Sequence, residues 1–569
     1  MNQYKQYCII VTFIISCLFI TGRLCYLQIY RNESLEYLSK KNFTRFDNIL
    51  VPRGNITDIH GNLLATNRPI TNVYWQGTGN NRFSKKQADD LYFLAQTLDM
   101  ELPINSIKNM ERYKKQILIA KDVPFATLSK IAEHFAFSPN LTIKTQFERY
   151  YPHQMLGCHI VGYLGNNDIN SKVGKMGLER FFQRELVGKT GLVQKTVDAV
   201  GSSITQREIK PIVPGQSITT TLDVPLQKIA EKLFPSKYAG SFILMDSETG
   251  DLRALISRPT FNPSIFLKPI EVQAWQQLTE NKPFINRAYN ACYPPASLFK
   301  LVTIIAGLEE GVISTDSTSY CRGFLKYGNR KFHCNRRYGH GNVNIKESIA
   351  HSCNIIFYEI GKKLTMNTLA SYAHRFGLGE KTGFALPEQE GFIPTSDWKM
   401  QTKNERWWPG ETICATIGQT FMLVTPLQIA RMISGIFQGY LVNPRILKDE
   451  PIIKTPLGVK QEHLKFIQEA MKEVAEEGTA QQLKKVKDID IYAKTGTAQT
   501  SSLDKRKLGG EHIEHTWFVA HFAYKNQNPF TIVIFLENAG YVRIATNMTR
   551  QFLIEYKKHI DRYYSNTSP

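Results

Sequence analysis

From Gln6 to Gly22 the chain carries no charge, and Ile, Leu, Phe and Val dominate the run. Adding Leu24 to Ile29 gives an apolar stretch long enough to cross a bilayer, which takes about 20 residues of helix. Arg23 interrupts it near one end, where a long cationic side chain can snorkel to the interface. No second run of that length occurs, so residues 30–569 are expected on one side of a membrane. Only Lys5 and the α-amino group flank the span on its short side, and the bulk of the chain is expected outside the cytoplasm. No small-residue cleavage motif follows, which reads as an uncleaved anchor. Ile14-Ile15-Ser16-Cys17 faintly resembles a lipoprotein processing site, but the apolar run continues past Cys17.

That placement decides what the charge means. Lys and Arg number 70 against 50 Asp and Glu, a surplus of +20 that favours an anionic neighbour. Outside the cytoplasm nucleic acid is excluded, leaving anionic lipid or cell-wall polymer. The surplus is spread along the chain, and no binding patch is read from it. With 569 residues and 11% aromatics the chain is too long and too apolar for a disordered or fibrous protein. Nine cysteines are too few for a disulfide scaffold.

The sequence divides into residues 1–29, 30–215 and 216–569. The middle part alternates short β-like runs with Gly and Asn breaks, interrupted by a polar helical stretch from Ser84 to Lys115. Pro211–Gly215 reads as a linker. The last part carries helical patterns at Leu298–Glu310, Val343–Leu364, Pro426–Phe437 and Leu464–Glu477. Strands follow at Tyr492–Lys494, Trp517–Tyr524 and Thr531–Glu537, and a helix over Asn547–Tyr564. The expected fold class is α/β (α+β), a mainly antiparallel sheet between helical layers.

Tyr293-Pro294-Pro295-Ala296-Ser297-Leu298-Phe299-Lys300 opens a helix, since proline fits only at or before the first turn. Ser297 then sits at a helix N-terminus with Lys300 three residues on, on the same face. A serine hydroxyl needs a neighbouring base, and a lysine serves only if burial or nearby positive charge lowers its pKa. S-x-x-K alone is weak. It recurs at Ser396–Lys399 and Ser502–Lys505, and K-T-G occurs at Lys189, Lys381 and Lys494. Order sorts them. The single S-x-N between Ser297 and Lys494 is Ser352-Cys353-Asn354, and only Lys494-Thr495-Gly496-Thr497 follows a strand-like approach and precedes two more strands. S-x-x-K, S-x-N and K-T-G in that order form a three-part acyl-transfer site.

Here the chain resembles the class B penicillin-binding proteins, monofunctional peptidoglycan transpeptidases. Pro52–Asp58 with Gly61–Ala65, Arg149–Pro152 and Gly174–Glu179 are similar to the motifs of that family's non-catalytic pedestal, or dimerisation, domain. Thr220–Asp223 with Leu226-Gln227 looks like the entry to its transpeptidase domain. Tyr293-Pro294-Pro295, Gly339-His340-Gly341 and Trp408–Thr412 leading to Ile417-Gly418-Gln419 resemble the elongation type, penicillin-binding protein 2, rather than the division type. The resemblance implies a pedestal over 30–215 and a transpeptidase domain over 216–569. It implies Ser297 as nucleophile, Lys300 as base and Ser352 as proton relay at a turn that breaks the Val343–Leu364 pattern. It implies Asn354 on the donor peptide, and Lys494, Thr495, Gly496 and Thr497 around its terminal carboxylate. The backbone N–H groups of Ser297 and Thr497 are the implied oxyanion hole. Implied partners are peptidoglycan stem peptides and lipid-linked precursors, β-lactams, a multi-spanning membrane glycosyltransferase and other elongation-complex proteins. Ala296, Leu298, Thr420 and Ile59-His60 depart from the family pattern without removing a catalytic group.

Cys321, Cys334, His340 and Cys353 surround the second motif. Three cysteines and a histidine are a structural zinc set, and some elongation-type relatives carry a similar cluster. The alternatives are a Cys321–Cys334 disulfide, and His333 in place of His340. Cys8, Cys17 and Cys25 belong to the anchor; Cys158, Cys292 and Cys414 read as small buried apolar residues. Trp407-Trp408 reads as core or cleft wall. Competing functions are a division-type transpeptidase, a β-lactamase, a β-lactam sensor and a bifunctional polymerase. A β-lactamase would need an acid for deacylating water, and a sensor would need further membrane segments. Residues 30–215 show no glycosyltransferase signature.

Overall fold

In the computed structural model the apolar run forms a helix over Asn2–Cys25 that continues through a wider turn to Tyr30. It is the one stretch among the described residues long and apolar enough to span a membrane, and none of its apolar window is buried by protein. The structure describes residues 2–49, 51–136, 138–167, 172–197, 203–500 and 508–567. Ser502–Lys505 falls outside them.

The chain folds as two compact units. The first takes residues 1–54, 67–149 and 184–216. It holds a three-stranded antiparallel sheet of Thr44–Ile49, Gly191–Val197 and Ser203–Lys210. It also holds a small α/β body around Val73, Trp75, Leu94, Ile107 and Ile131. The polar stretch read as one helix is two, Lys85–Leu98 and Ile104–Arg112. Pro103 N-caps the second, where its missing N–H costs nothing.

The second unit takes residues 55–66, 150–183 and 217–569, so parts of the expected pedestal pack with the catalytic half. Asp58 explains the first segment. Its fully buried carboxylate accepts from the N–H of His60, Asn62 and Val224 at 2.9, 2.7 and 3.0 Å. An unpaired buried carboxylate is expensive, so the turn stays with the helix Val224–Leu233 that it caps. The second segment contributes Cys158, Tyr163 and Met176 to an aromatic cluster on Phe261, Phe266 and Phe284.

The heart of this unit is a five-stranded antiparallel sheet in the order Leu252–Arg258, Gly240–Asp246, Phe530–Leu536, His515–Ala523, Asp490–Ala498. The three late strands lie where the sequence pattern places them; the first two carry no alternation. Gly240–Asp246 is buried at every position, as a strand covered on both faces must be. The helices Pro426–Gln438 and Val542–Thr567 belong to the layers over the sheet, with Gly435, Ile436, Phe552 and Tyr556 in the core. Asp490–Ala498 is an edge strand, and its outer side forms one wall of the site.

Candidate active site

Ser297 lies in a short 3-10 turn, Ala296–Leu298, ahead of the helix Lys300–Glu309. Ala296 is fully buried at φ +51°, a left-handed conformation that alanine adopts at a cost of about 1–2 kcal/mol. Its N–H donates to the Gly418 carbonyl at 3.2 Å. Gly418, at φ +71°, lies so close that a Cβ there would meet the Ala296 carbonyl oxygen at 2.2 Å. The Ile417-Gly418-Gln419 turn therefore forms the seat of the turn that carries Ser297. From the other side, Leu298 is fully buried, with its Cγ 3.4 Å from where a Cβ on Gly496 would lie. Trp517 donates its indole N–H to the Pro294 carbonyl at 2.9 Å. The bulkier Leu298 thus fills space that Gly496 leaves.

Ser352-Cys353-Asn354 lies at a turn between helices Ile345–Ala350 and Ile355–Gly361, with Ser352 at φ +54°. The Val343–Leu364 pattern breaks there. Two buried lysines converge on Ser352. Lys300 Nζ reaches its Oγ at 3.2 Å and its carbonyl at 2.8 Å, the Cys353 carbonyl at 3.1 Å and Asn354 Oδ1 at 2.7 Å. Lys494 Nζ donates to the same Oγ at 3.3 Å and to the Thr495 carbonyl at 3.1 Å. Burial pushes the Lys300 ammonium down to about 8, against the opposing pull of the Cys353 and Cys334 thiols. Burial, then the charge of Lys300, holds Lys494 well below the ordinary lysine range.

Asn354 is more engaged than the sequence implies. Besides holding Lys300, its Nδ2 donates to the His333 carbonyl at 3.0 Å, which leaves one amide hydrogen for a peptide. Thr497 is exposed on the edge strand. Thr495 is buried, and its hydroxyl meets that of Thr479 at 2.7 Å. Thr479 is a site residue the sequence reading missed. Its N–H donates to the Ala350 carbonyl at 3.1 Å, so it links the helix before Ser352 to the Lys494 strand.

Two of the motif repeats are structural. Lys399 of Ser396–Lys399 is tied to Glu411 at 2.7 Å, while Ser396 hydrogen-bonds Asn367. Thr382 of the K-T-G at Lys381 donates to Glu388 at 2.7 Å. Cys292 is half-buried, and burial pushes its thiol up, which disfavours a thiolate nucleophile. Trp407 donates to Thr412 at 2.8 Å, and Trp408 is half-exposed beneath Arg406.

Cys321, Cys334, His340 and Cys353 come together, their donor atoms all within 4.8 Å of one another. His340 Nδ1 lies 3.6 Å from Cys321 Sγ and 3.5 Å from Cys334 Sγ, and Cys334 and Cys353 sulfurs are 3.8 Å apart. A tetrahedral ion with bonds of about 2.3 Å to sulfur and 2.0 Å to nitrogen requires edges of roughly 3.5–3.8 Å. These three edges fit such an ion. All four cysteines of the second motif region, Cys321, Cys334, Cys353 and Cys414, are free thiols, without the Cys321–Cys334 disulfide, and His333 stands outside the group. The sulfur–sulfur contact pushes the Cys334 thiol down and the Cys353 thiol up from the ordinary cysteine range.

With this geometry in view, the comparisons with known proteins define the class. Residues 240–553 match the penicillin binding protein transpeptidase domain, and residues 48–220 the penicillin-binding protein dimerisation domain. The chain belongs to the penicillin-binding proteins, in the class that joins these two domains. The peptidoglycan D,D-transpeptidase MrdA of Acinetobacter baumannii is 29% identical, over 94% of this chain and 85% of its own. Penicillin-binding protein 2 of Helicobacter pylori, solved with MreC, superposes with a TM-score of 0.80 at 26% identity, covering 90% of this chain and 99% of that one. A chain from a peptidoglycan synthase complex, solved for the structural coordination of polymerization and crosslinking, gives 0.75 at 27% identity, covering 97% and 98%. Within class B the chain is of the elongation type, the penicillin-binding protein 2 group.

Proposed function

We propose that this protein is a peptidoglycan D,D-transpeptidase that cross-links stem peptides through a serine acyl-enzyme during cell elongation. The observation that carries the reading is the meeting of two buried lysines, from motifs 194 positions apart (Lys300 and Lys494), on the hydroxyl of Ser352. Ser297 Oγ attacks the carbonyl of the donor's D-Ala-D-Ala bond as Lys300, neutral for part of the time at pH 7, accepts the hydroxyl proton. Ser352 passes a proton to the leaving D-alanine amine, and the peptide C–N bond breaks as the ester forms. An acceptor amine then attacks the ester, an amide forms, and Ser297 Oγ regains a proton. Lys494 and Thr497 take the donor carboxylate, with Thr495 holding the strand through Thr479. The N–H groups of Ser297 and Thr497 stabilise the oxyanion; one such donor is worth about 3 kcal/mol. A β-lactam enters as donor mimic.

A β-lactamase is not favoured, because among the described residues no carboxylate bonds Lys300, Ser352, Asn354 or Lys494 to serve a deacylating water. The division-type reading is not favoured, because relatives at 27–29% identity are MrdA transpeptidases and a solved neighbour is a penicillin-binding protein 2. On this reading residues 30–569 lie on the periplasmic side, where the substrate lies, and the one apolar helix supports a single membrane anchor. Polymerisation of lipid-linked precursors falls to a multi-spanning glycosyltransferase partner, a reading supported by the synthase-complex neighbour. Cys321, Cys334, His340 and Cys353 hold a structural zinc that ties residues 321–340 to the second motif; the acyl transfer itself requires no cofactor.

The test is intact-mass spectrometry of the detergent-solubilised chain with a penicillin, beside Ser297→Ala. A lasting adduct of one drug mass on the parent and none on the variant is expected. Rapid drug hydrolysis without an adduct, or an adduct on the variant, would overturn the assignment.

A further inference from the structure

Between Asp316 and Lys346 the chain has no acidic residue, but it has Arg322, Lys326, Arg330, Lys331, Arg336 and Arg337. Six of the chain's 70 basic residues are thus clustered here. All six side chains are exposed, and among the described residues none forms an ion pair. The hairpin Phe324–Tyr327 with Arg330–His333 sets Lys326 directly opposite Lys331. Like charges facing each other across a two-stranded ladder are destabilising, so folding alone does not account for them. Four of the charged heads lie over rings. Arg322 and Lys331 share Phe324 at 5.0 and 4.9 Å, Arg330 lies on Phe332 at 5.1 Å, and Arg337 on Tyr338 at 5.9 Å. The rings orient these heads but carry no formal charge, so the cations remain without counter-ions.

This cationic surface is joined to the second motif. The His333 carbonyl accepts from Asn354 Nδ2 and from the Tyr358 hydroxyl, both at 3.0 Å, and Asn335 donates to the His351 carbonyl at 3.1 Å. Gly410, at the start of the helix Pro409–Ala415, packs on Phe332 from behind. The hairpin therefore stands on the Ser352–Asn354 wall, whereas the donor carboxylate is served by Lys494 and Thr497 on the other wall. A second anionic substrate has its own place.

We propose that the Arg322–Arg337 hairpin binds an acidic peptide, the acyl acceptor, and delivers its amine to the Ser297 ester from the Asn354 side. The inference rests on the transpeptidase reading. Its chemistry adds no step: the amine attacks the ester carbonyl, the bond to Ser297 Oγ breaks as the amide forms, and the amine's proton returns to that oxygen. Clustered cations meeting carboxylates make binding fall with salt and contribute encounter rate as well as affinity.

The test uses the full chain in detergent and a fluorescent, uncross-linked stem peptide with free carboxylates, beside the same peptide with its carboxylates amidated. The variant carries Lys326→Gln, Arg330→Gln, Lys331→Gln and Arg337→Gln. Binding read by anisotropy should be at least about tenfold weaker in the variant, equivalent to 1.4 kcal/mol, with a shallower salt dependence. The amidated peptide should bind the parent as weakly as the free acid binds the variant. The penicillin adduct on Ser297 should form at the parental rate in the variant, which shows it folded. Equal binding of both peptides, or an unchanged affinity in an acylating variant, would overturn the proposal. So would binding of anionic phospholipid vesicles without binding of the peptide. Loss of the penicillin adduct in the parent would instead overturn the transpeptidase reading.

Discussion

Two glycines with the same backbone conformation separate strain from steric seating at the nucleophile. Gly418 has φ +71° and Gly458 has φ +63°. Alanine at either carries the left-handed penalty of about 1–2 kcal/mol. At Gly458 the new methyl meets open space. At Gly418 it lies 2.2 Å from the Ala296 carbonyl oxygen and 2.8 Å from both the carbonyl carbon and the nitrogen of that residue. Comfortable carbon contacts are about 3.5 Å, so the backbone before Ser297 must move by roughly 1 Å. A displacement of that size at a reacting group costs about 100-fold in rate. Gly418→Ala should therefore acylate with penicillin about 100-fold more slowly than the parent, measured by adduct formation against time. Gly458→Ala should lose a few degrees of Tm and acylate normally. If Gly418→Ala acylates within about threefold of the parent, the Ile417–Gln419 turn is not the seat of the nucleophile. Slow acylation in Gly458→Ala would refute the reasoning equally.

Ala296→Gly relieves about 1–2 kcal/mol of left-handed strain but loses a buried methyl, about 0.8 kcal/mol, and adds unfolded-state entropy of about 0.4–1 kcal/mol. The net is within about 1 kcal/mol of zero, so Tm should shift by less than about 4 °C; a larger fall would show that the methyl, not the turn, dominates. Burial lowers His159 to about 4 and His521 to about 3. Between those values and the ordinary value of about 6.5 the unfolded chain binds more protons, so stability is full above pH 6.5 and falls on acidification. Differential melting from pH 7 to 4 should show this, and a flat profile would mean these imidazoles are hydrated. Removing zinc with a chelator should lower the Tm of the catalytic unit, and metal analysis should give about one equivalent; less than about a tenth of an equivalent in protein purified without chelator would exclude a tightly bound ion.

The motifs proposed for acyl transfer were legible because Ser297, Lys300, Ser352 and Lys494 are the chemical types it calls for, and order together with the strand context of Lys494 sorted them from their repeats. The late strands were legible from β-branched and aromatic runs bounded by turns. Gly240–Asp246 was not, because a strand buried at every position has no alternation. The capture of residues 55–66 and 150–183 by the catalytic unit was also hidden. It depends on where the Asp58 carboxylate finds its donors, and those lie at Val224, far along the chain. Thr479 carried no local signal, since its role exists only through Ala350 and Thr495. The cationic hairpin escaped for a different reason. A whole-chain charge count averages over residues that the ladder of Phe324–Tyr327 and Arg330–His333 brings face to face.

The backbone itself ties the serines to function. Ala296 and Ser352, one before the nucleophile and one at the relay, are both non-glycine residues with positive φ, at +51° and +54°. Each costs of order 1–3 kcal/mol and persists only where surrounding contacts over-determine it. At Ala296 those contacts are the Gly418 carbonyl and the indole of Trp517 on Pro294. At Ser352 they are the two lysines. A relaxed helical conformation at either residue would forfeit these contacts. The departure from glycine at position 296 fits the same logic: the turn is held so firmly from both sides that alanine is tolerated where glycine would be easier.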